Sequence, residues 1–576
     1  MKKIMALFLA MAMVLGMSVT TFAADTVTGT STDKGSITIT NVEKGLAEKG
    51  IAVYKIVEAE YNNGGSFSGY KVADLYKDIM VNEDGESDYV TLTPTILDQL
   101  GNKALEEGTP IEVTEGWTYS DADKKYSTTH EFDAGRYLIV LTGADATIYN
   151  YAVASIYYVN KDGNNDIIDG DLDIENTTGI TLKDGEAYVK ASSHPEVTKK
   201  AETTVNGQKV PADTANIGDV IEYTVEINPV PYYGGENPVL NAVDTLSEGL
   251  SLEDIAEDGN LSVVVREAND TNNTGTVVAT LTKDTDFTAT ATKDASNKKD
   301  ILTVDFVTGT PGAYQLNDYA GKKIVITYKA VLNNDAKLNE DGNNNDVVLN
   351  FTKDSKVTGD ETKGTDEDKT YTYTFDLSGT LTGDSTTSIL TKTGESTDTT
   401  TEKLAGAVFE LYTKNANGEK VAYENTVVVP GTIKVDGQDK NVNLFDGPKG
   451  TITSDNNGKL IVKGLAAGTY YLKEIEAPKG YSLNAHEFVI VVSADVNDEG
   501  KLLSWSISVD GKELFAVENG VKKAEPVEEN GYIPNTKITE LPSTGGIGTT
   551  IFTIGGCAIM ILAAALYFAT RRKTVK

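Results

Sequence analysis

Along most of the chain, apolar residues recur at every second position over five to ten residues, and clusters of Gly, Asn, Asp, Thr and Pro interrupt them every ten or so positions. A period of two places one set of side chains on one face of an extended strand, so such runs predict half-buried strands joined by tight turns. The segments Ser36–Thr40, Gly50–Val57, Gly135–Leu141 and Tyr151–Val159 have this character, as do Ile217–Ile227 and Gly321–Asn333. Helical periodicity is scarce, and the runs Val72–Met80 and Thr95–Leu105 predict two short helices. The expected fold class is therefore all-β.

Two segments depart from this alternation. Near the start, Lys2 and Lys3 precede an apolar run from Ile4 to about Val14, followed by small residues around Ala23. That layout predicts a secretory signal peptide over residues 1–24, because the run falls short of the ~20 apolar residues a membrane span needs. Near the end, Ile547–Ala569 is apolar apart from small residues and threonines, and Arg571, Arg572 and Lys573 follow. A basic cluster after an apolar stretch stops translocation, which predicts a transmembrane helix with a cytoplasmic tail.

Composition narrows the function. The formal net charge of -35 is spread without a long single-sign block, so the surface repels nucleic acid and anionic membrane. Cys557, the one cysteine, falls inside the C-terminal apolar run, which leaves an exported chain without disulfides to brace its small β domains. His130, His194 and His486 lie in three separate regions without metal-ligand spacing. The acid-rich stretch Asp162–Asp166 lacks the glycine that a calcium loop needs at its sixth position, where Ile167 stands, and predicts a polar hairpin turn. No nucleotide-binding loop or hydrolase elbow is present, so neither a metal nor a cofactor is expected and the chain is not expected to be an enzyme.

Leu541-Pro542-Ser543-Thr544-Gly545 stands directly before the C-terminal apolar run. Motif, span and basic tail together resemble the tripartite LPxTG sorting signal. The resemblance implies that a sortase attacks the Thr544 carbonyl, releases Gly545 onward and passes the acyl group to an amine. Pro542 fixes its own backbone and biases Leu541 to an extended form, which lowers the cost of ordering the segment in an enzyme groove.

Further strings extend the likeness. AVYKIVEAEY and AGRYLIVL resemble the N-terminal domains of Gram-positive pilus shaft proteins; IGDVIEYTVEI, VDTLSEGLSLE and GKKIVITYKAVLN resemble their second, immunoglobulin-like domain. ILTKTGE, YYLKEIEAPKGYSL and GYIPNTK resemble a Cna B-type domain, whose E-box reads YxLxExxAPxGY. The resemblance implies tandem immunoglobulin-like β-sandwiches: an N-terminal pilin domain over 25–191, an isopeptide-forming domain over 192–382, a Cna B-type domain over 383–540 and the sorting signal over 541–576.

In Cna B-type domains a lysine and an asparagine condense beside a glutamate, and the corresponding residues here are Lys392, Asn535 and Glu474. Leu390 and Lys392 share one face of their strand, so both are expected in the core. A buried lysine tends to lose its proton and become a nucleophile, and a Glu474 that keeps its proton would polarise the Asn535 carboxamide. The alternative is a surface Lys392–Glu474 ion pair. In the second domain the family pattern falls on Lys199 and Asp244, but the usual asparagine position is occupied by Lys353, and Asn350 is expected on the opposite face of its strand. A Lys199–Asp244 ion pair is the competing expectation there.

Shaft pilins are linked through a lysine in a VYPK-like motif. Ala187-Tyr188-Val189-Lys190 matches it with valine for proline, which makes Lys190 the candidate, with Lys183, Lys199 and Lys200 as rivals. The expected function is a structural shaft subunit of a covalent, wall-anchored pilus on the cell surface. Its expected partners are a sortase, identical subunits, peptidoglycan, accessory pilins and host surface ligands. A monomeric wall-anchored adhesin is the alternative.

Overall fold

The computed structural model describes residues 29–538 except 47–49, 82–91, 145–146, 161–179, 206, 236–237, 295–297, 309–312, 357–362, 378–389, 396–400, 424, 519–520 and 524–530, together with 554 and 556–563. The signal peptide, the acid-rich stretch at 162–166 and the sorting motif Leu541–Gly545 lie outside the described residues. Residues 556–563 are helical, and among the described residues no helix is long and apolar enough to cross a membrane.

The N-terminal alternation folds into two main sheets. Ile180–Lys183, Ala152–Asn160, Gly135–Leu141, Ile51–Tyr61 and Phe67–Val72 lie in that order in an antiparallel sheet. Gly185–Tyr188, Ile37–Thr40, Lys125–Ser127 and Thr118–Ser120 form the second, in which Gly185–Tyr188 runs parallel to Ile37–Thr40. Gly135–Leu141 is buried on both faces because it carries core on each side. Tyr137 and Ile139 face the second sheet's cluster, whereas Leu138 and Val140 pack on Leu100 and Ala104 of the helix Pro94–Glu107. That helix starts where Thr93 accepts a hydrogen bond from the Ile96 amide and Pro94 occupies the first turn. The other expected helix is a 3-10 turn at Asp74–Tyr76 continued by Lys77–Met80.

The middle of the chain is a sandwich of two mainly antiparallel sheets. One is built around Glu196–Val205, Val220–Asn228 and Lys323–Leu332; the other holds Leu240–Leu246 between Lys299–Asp305 and Asn343–Thr352. Val220–Asn228 and Leu240–Leu246 each bury every second residue, so each sheet gives one face to the core.

The third part is a ten-stranded sheet centred on Val408–Lys414, Gly468–Glu476 and Glu487–Val496. Across its open side the strand Thr391–Gly394 pairs in parallel with Tyr532–Asn535, which brings the beginning and end of this region side by side. Phe375–Asp376 leaves the middle sandwich and pairs with Lys463–Leu465, and buried side chains run without a break from the middle sandwich into the third part. Polar contacts reinforce the junction: Asn216 Oδ1 accepts from the Ala466 amide at 3.0 Å and from Tyr470 Oη at 3.1 Å.

Candidate functional site

Lys392 sits on Thr391–Gly394, Asn535 at the end of the parallel partner strand and Glu474 on the central strand Gly468–Glu476. The three are 0 %, 2 % and 1 % exposed, so the surface ion pair is ruled out. Lys392 Nζ donates to Asn535 Oδ1 at 2.5 Å and stands 3.2 Å from Glu474 Oε1. Asn535 Nδ2 donates to both Glu474 oxygens, at 2.9 and 3.0 Å, and the Asn484 amide donates to Oε2 at 2.6 Å. The Phe409 ring centroid is 5.6 Å from Nζ and closes the apolar side. Burial pushes the Lys392 amine below its ordinary value, against the pull of Glu474. The arrangement aligns an amine, a carboxamide and a carboxyl group that touches both, as amide exchange requires.

A second constellation lies between the sheets of the middle sandwich. Lys199 Nζ donates to Asp244 Oδ2 at 2.5 Å and to Tyr328 Oη at 3.0 Å, under the stacked rings of Tyr223 and Tyr328. Burial lowers the Lys199 amine and raises the Asp244 carboxyl, with their mutual attraction opposing both shifts. Sequence reasoning missed the third member. Asn345 is fully buried, and its Nδ2 donates to the same Tyr328 oxygen at 2.7 Å. Its Oδ1 is buried without a partner, as is Asp244 Oδ1. The signal was available by extending the alternation of Phe351, Leu349 and Val347 backwards by one step, to Asn345. Asn350 points to the other face, where it donates to Asn241 at 2.8 Å.

Lys190 is exposed just after Gly185–Tyr188. Its neighbours anchor the segment: Val189 is buried and its amide donates to Thr40 O at 3.1 Å, while the Lys190 carbonyl accepts from the Asn150 amide at 3.0 Å. Tyr188 is 64 % exposed beside it. Among the rivals, Lys199 has its amine buried against Asp244 and is not accessible to another subunit. Among the described residues no group of three or more His, Cys, Asp or Glu could hold a metal ion.

Residues 390–501 match the model of the SpaA prealbumin-like fold domain, which begins at the strand of Lys392, and residues 533–576 match the LPXTG cell wall anchor motif. The trypsin-resistant surface T6 protein of Streptococcus pyogenes serotype M6 is 26 % identical over 94 % of this chain and 95 % of its own length. These two matches and this relative support a sortase-assembled backbone pilin. Solved structures of such proteins are similar over nearly their whole length. The T6 backbone pilin of S. pyogenes is 20 % identical with a TM-score of 0.44, covering 88 % of this chain and 99 % of that one. The major pilin SpaD of Corynebacterium diphtheriae is 15 % identical with a TM-score of 0.39, covering 90 % and 100 %. The anchor motif at 533–576 and the likeness to the T6 surface protein support a structural, wall-anchored surface protein.

Proposed function

We propose that this pilin is welded internally by two amide bonds, Lys392–Asn535 and Lys199–Asn345, and joined to its neighbours through Lys190. The observation that carries the reading is the contact of the Lys392 amine with the Asn535 carboxamide, bridged by Glu474 in a buried site. The neutral amine attacks Asn535 Cγ, the Nζ–Cγ bond forms, the Cγ–Nδ2 bond breaks and ammonia leaves with the proton that Glu474 relays. In the middle sandwich Asp244 performs the relay for Lys199 and Asn345. Each bond forms once per molecule, so the chain matures itself without turnover.

The division into domains at 25–191, 192–382 and 383–540 belongs to the same reading: in the second and third of these units, each proposed weld ties an early strand to a late one. Sortase cuts between Thr544 and Gly545, and Lys190 of the next subunit takes up the Thr544 acyl group. The last subunit is passed to peptidoglycan. Accessory pilins and host surface ligands are the further partners this role calls for. Expressing the pilin with its sortase and running boiled wall extracts on a denaturing gel tests the polymer: a high-mass ladder supports the shaft reading, and a single monomer-sized band supports the monomeric adhesin.

A further inference from the structure

A third lysine, carboxylate and asparagine meet on the outer face of the middle sandwich. Lys323 opens the strand Lys323–Leu332 and is 1 % exposed although it lies on the face turned away from the core. What buries it is the connection between Leu261–Arg266 and Ala279–Thr280, which folds back over the sheet. Asn228 Nδ2 donates to Ala268 O at 3.2 Å and Arg266 to Gly275 O at 2.6 Å, so the strap is held at both ends. Between them the Asp270 carboxylate accepts from the Thr274 and Gly275 amides at 3.2 and 3.1 Å, which closes a tight turn with Asn273 at a φ of 55°. Asparagine is among the side chains that tolerate this left-handed region.

Glu226 bridges the other two residues. Its Oε2 accepts from Lys323 Nζ at 2.8 Å and its Oε1 from Asn273 Nδ2 at 2.8 Å. The amine also donates to the Asp270 carbonyl, which accepts from the backbone amide of Asn273 at 3.4 Å, so the amine and Asn273 share an acceptor. Asn273 Oδ1 is buried without a hydrogen-bond partner. A buried acceptor with no donor is unfavourable, which marks this asparagine as a side chain held in place by its contacts with Glu226.

We propose that Lys323 and Asn273 form a third amide bond, with Glu226 as the proton relay. The inference rests on the amide chemistry proposed for Lys392. The balance is the same: Nζ–Cγ forms, Cγ–Nδ2 breaks and one ammonia leaves, with no oxidant or other reactant. The product fastens the strap to the outer face of the sheet, whereas the Lys199 weld joins the two sheets through the core.

The test is a tryptic digest of the unfolded full chain read by tandem mass spectrometry, for the wild type and for Asn273→Ala. An acylated lysine resists trypsin, so the expected result is no cleavage after Lys323 and a branched peptide joining it to Asn273, about 17 Da lighter than its two linear parts. Asn273→Ala should restore cleavage after Lys323 and abolish that branched peptide. Efficient cleavage after Lys323 in the wild type overturns the proposal. The Lys392–Asn535 peptide is scored in the same digest, so its presence beside a free Lys323 rejects only the third bond, and its absence rejects the underlying chemistry.

Discussion

The Lys392 amine lies 2.5 Å from the Asn535 carboxamide oxygen on adjacent parallel strands, although the two residues are 143 positions apart in sequence. The strands carrying them lie at the beginning and end of this region. The proposed amide between them would carry tension along the chain past the ten-stranded sheet, whose hydrogen bonds would then not need to resist it.

Replacing Glu474 by Gln keeps the shape of the site and removes its proton relay. The bond should fail to form, and the domain should lose stabilisation on the order of 5 kcal/mol from loop closure. Thermal unfolding and protease sensitivity check this; an unchanged melting temperature with an intact cross-link would remove Glu474 from the mechanism.

Asn345→Ala should abolish the weld between the two sheets of the middle sandwich and leave the Lys199–Asp244 pair in place. Lys199→Met goes further, because it strands the buried Asp244 carboxyl, and breaking such a pair costs about 3–5 kcal/mol. Chemical denaturation should therefore rank the wild type above Asn345→Ala. Equal midpoints for these two would count against a bond at Asn345.

Lys190→Ala should eliminate the high-mass ladder from boiled wall extracts and leave single subunits anchored through Thr544. Lys183→Ala and Lys200→Ala should polymerise normally. A ladder persisting in Lys190→Ala would move the linkage to another lysine.

Asp98 on the helix Pro94–Glu107 accepts a hydrogen bond from Tyr232 Oη at 2.7 Å, which joins the N-terminal part to the middle sandwich. Burial pushes its carboxyl up to about 6; the Tyr232 hydrogen bond and the Lys356 charge oppose the shift. A raised folded value means the contribution is fully present below the unfolded value near 4 and is lost as pH rises through about 6. The N-terminal part should therefore unfold at a lower temperature at pH 8 than at pH 5, and Asp98→Asn should flatten this dependence. A slope of opposite sign, or one unchanged by Asp98→Asn, would contradict this assignment.

Much of the architecture can be read from period-two alternation, because a strand with one buried face must carry it. Gly135–Leu141 occupies the same residues as its apolar run, and Ala152–Asn160 is displaced by one position from the expected Tyr151–Val159. The Lys392 site was legible because the E-box fixes Glu474 and the alternation fixes Lys392. Asn345 was hidden by the shape of the expected motif, which directed attention to Lys353 and Asn350 at the far end of the same strand. Lys323, Glu226 and Asn273 could not be read from the sequence. Their meeting depends on a connection folding over the outer face of a sheet, and neither strand periodicity nor residue spacing encodes that approach.

The central claim is that buried amines in this pilin become amides, and the most direct measurement is tandem mass spectrometry of the protease-digested wild-type chain at Lys392 and Asn535. The account predicts one branched peptide containing both residues and weighing about 17 Da less than its two linear parts. Recovery of both as separate linear peptides at full mass would contradict it.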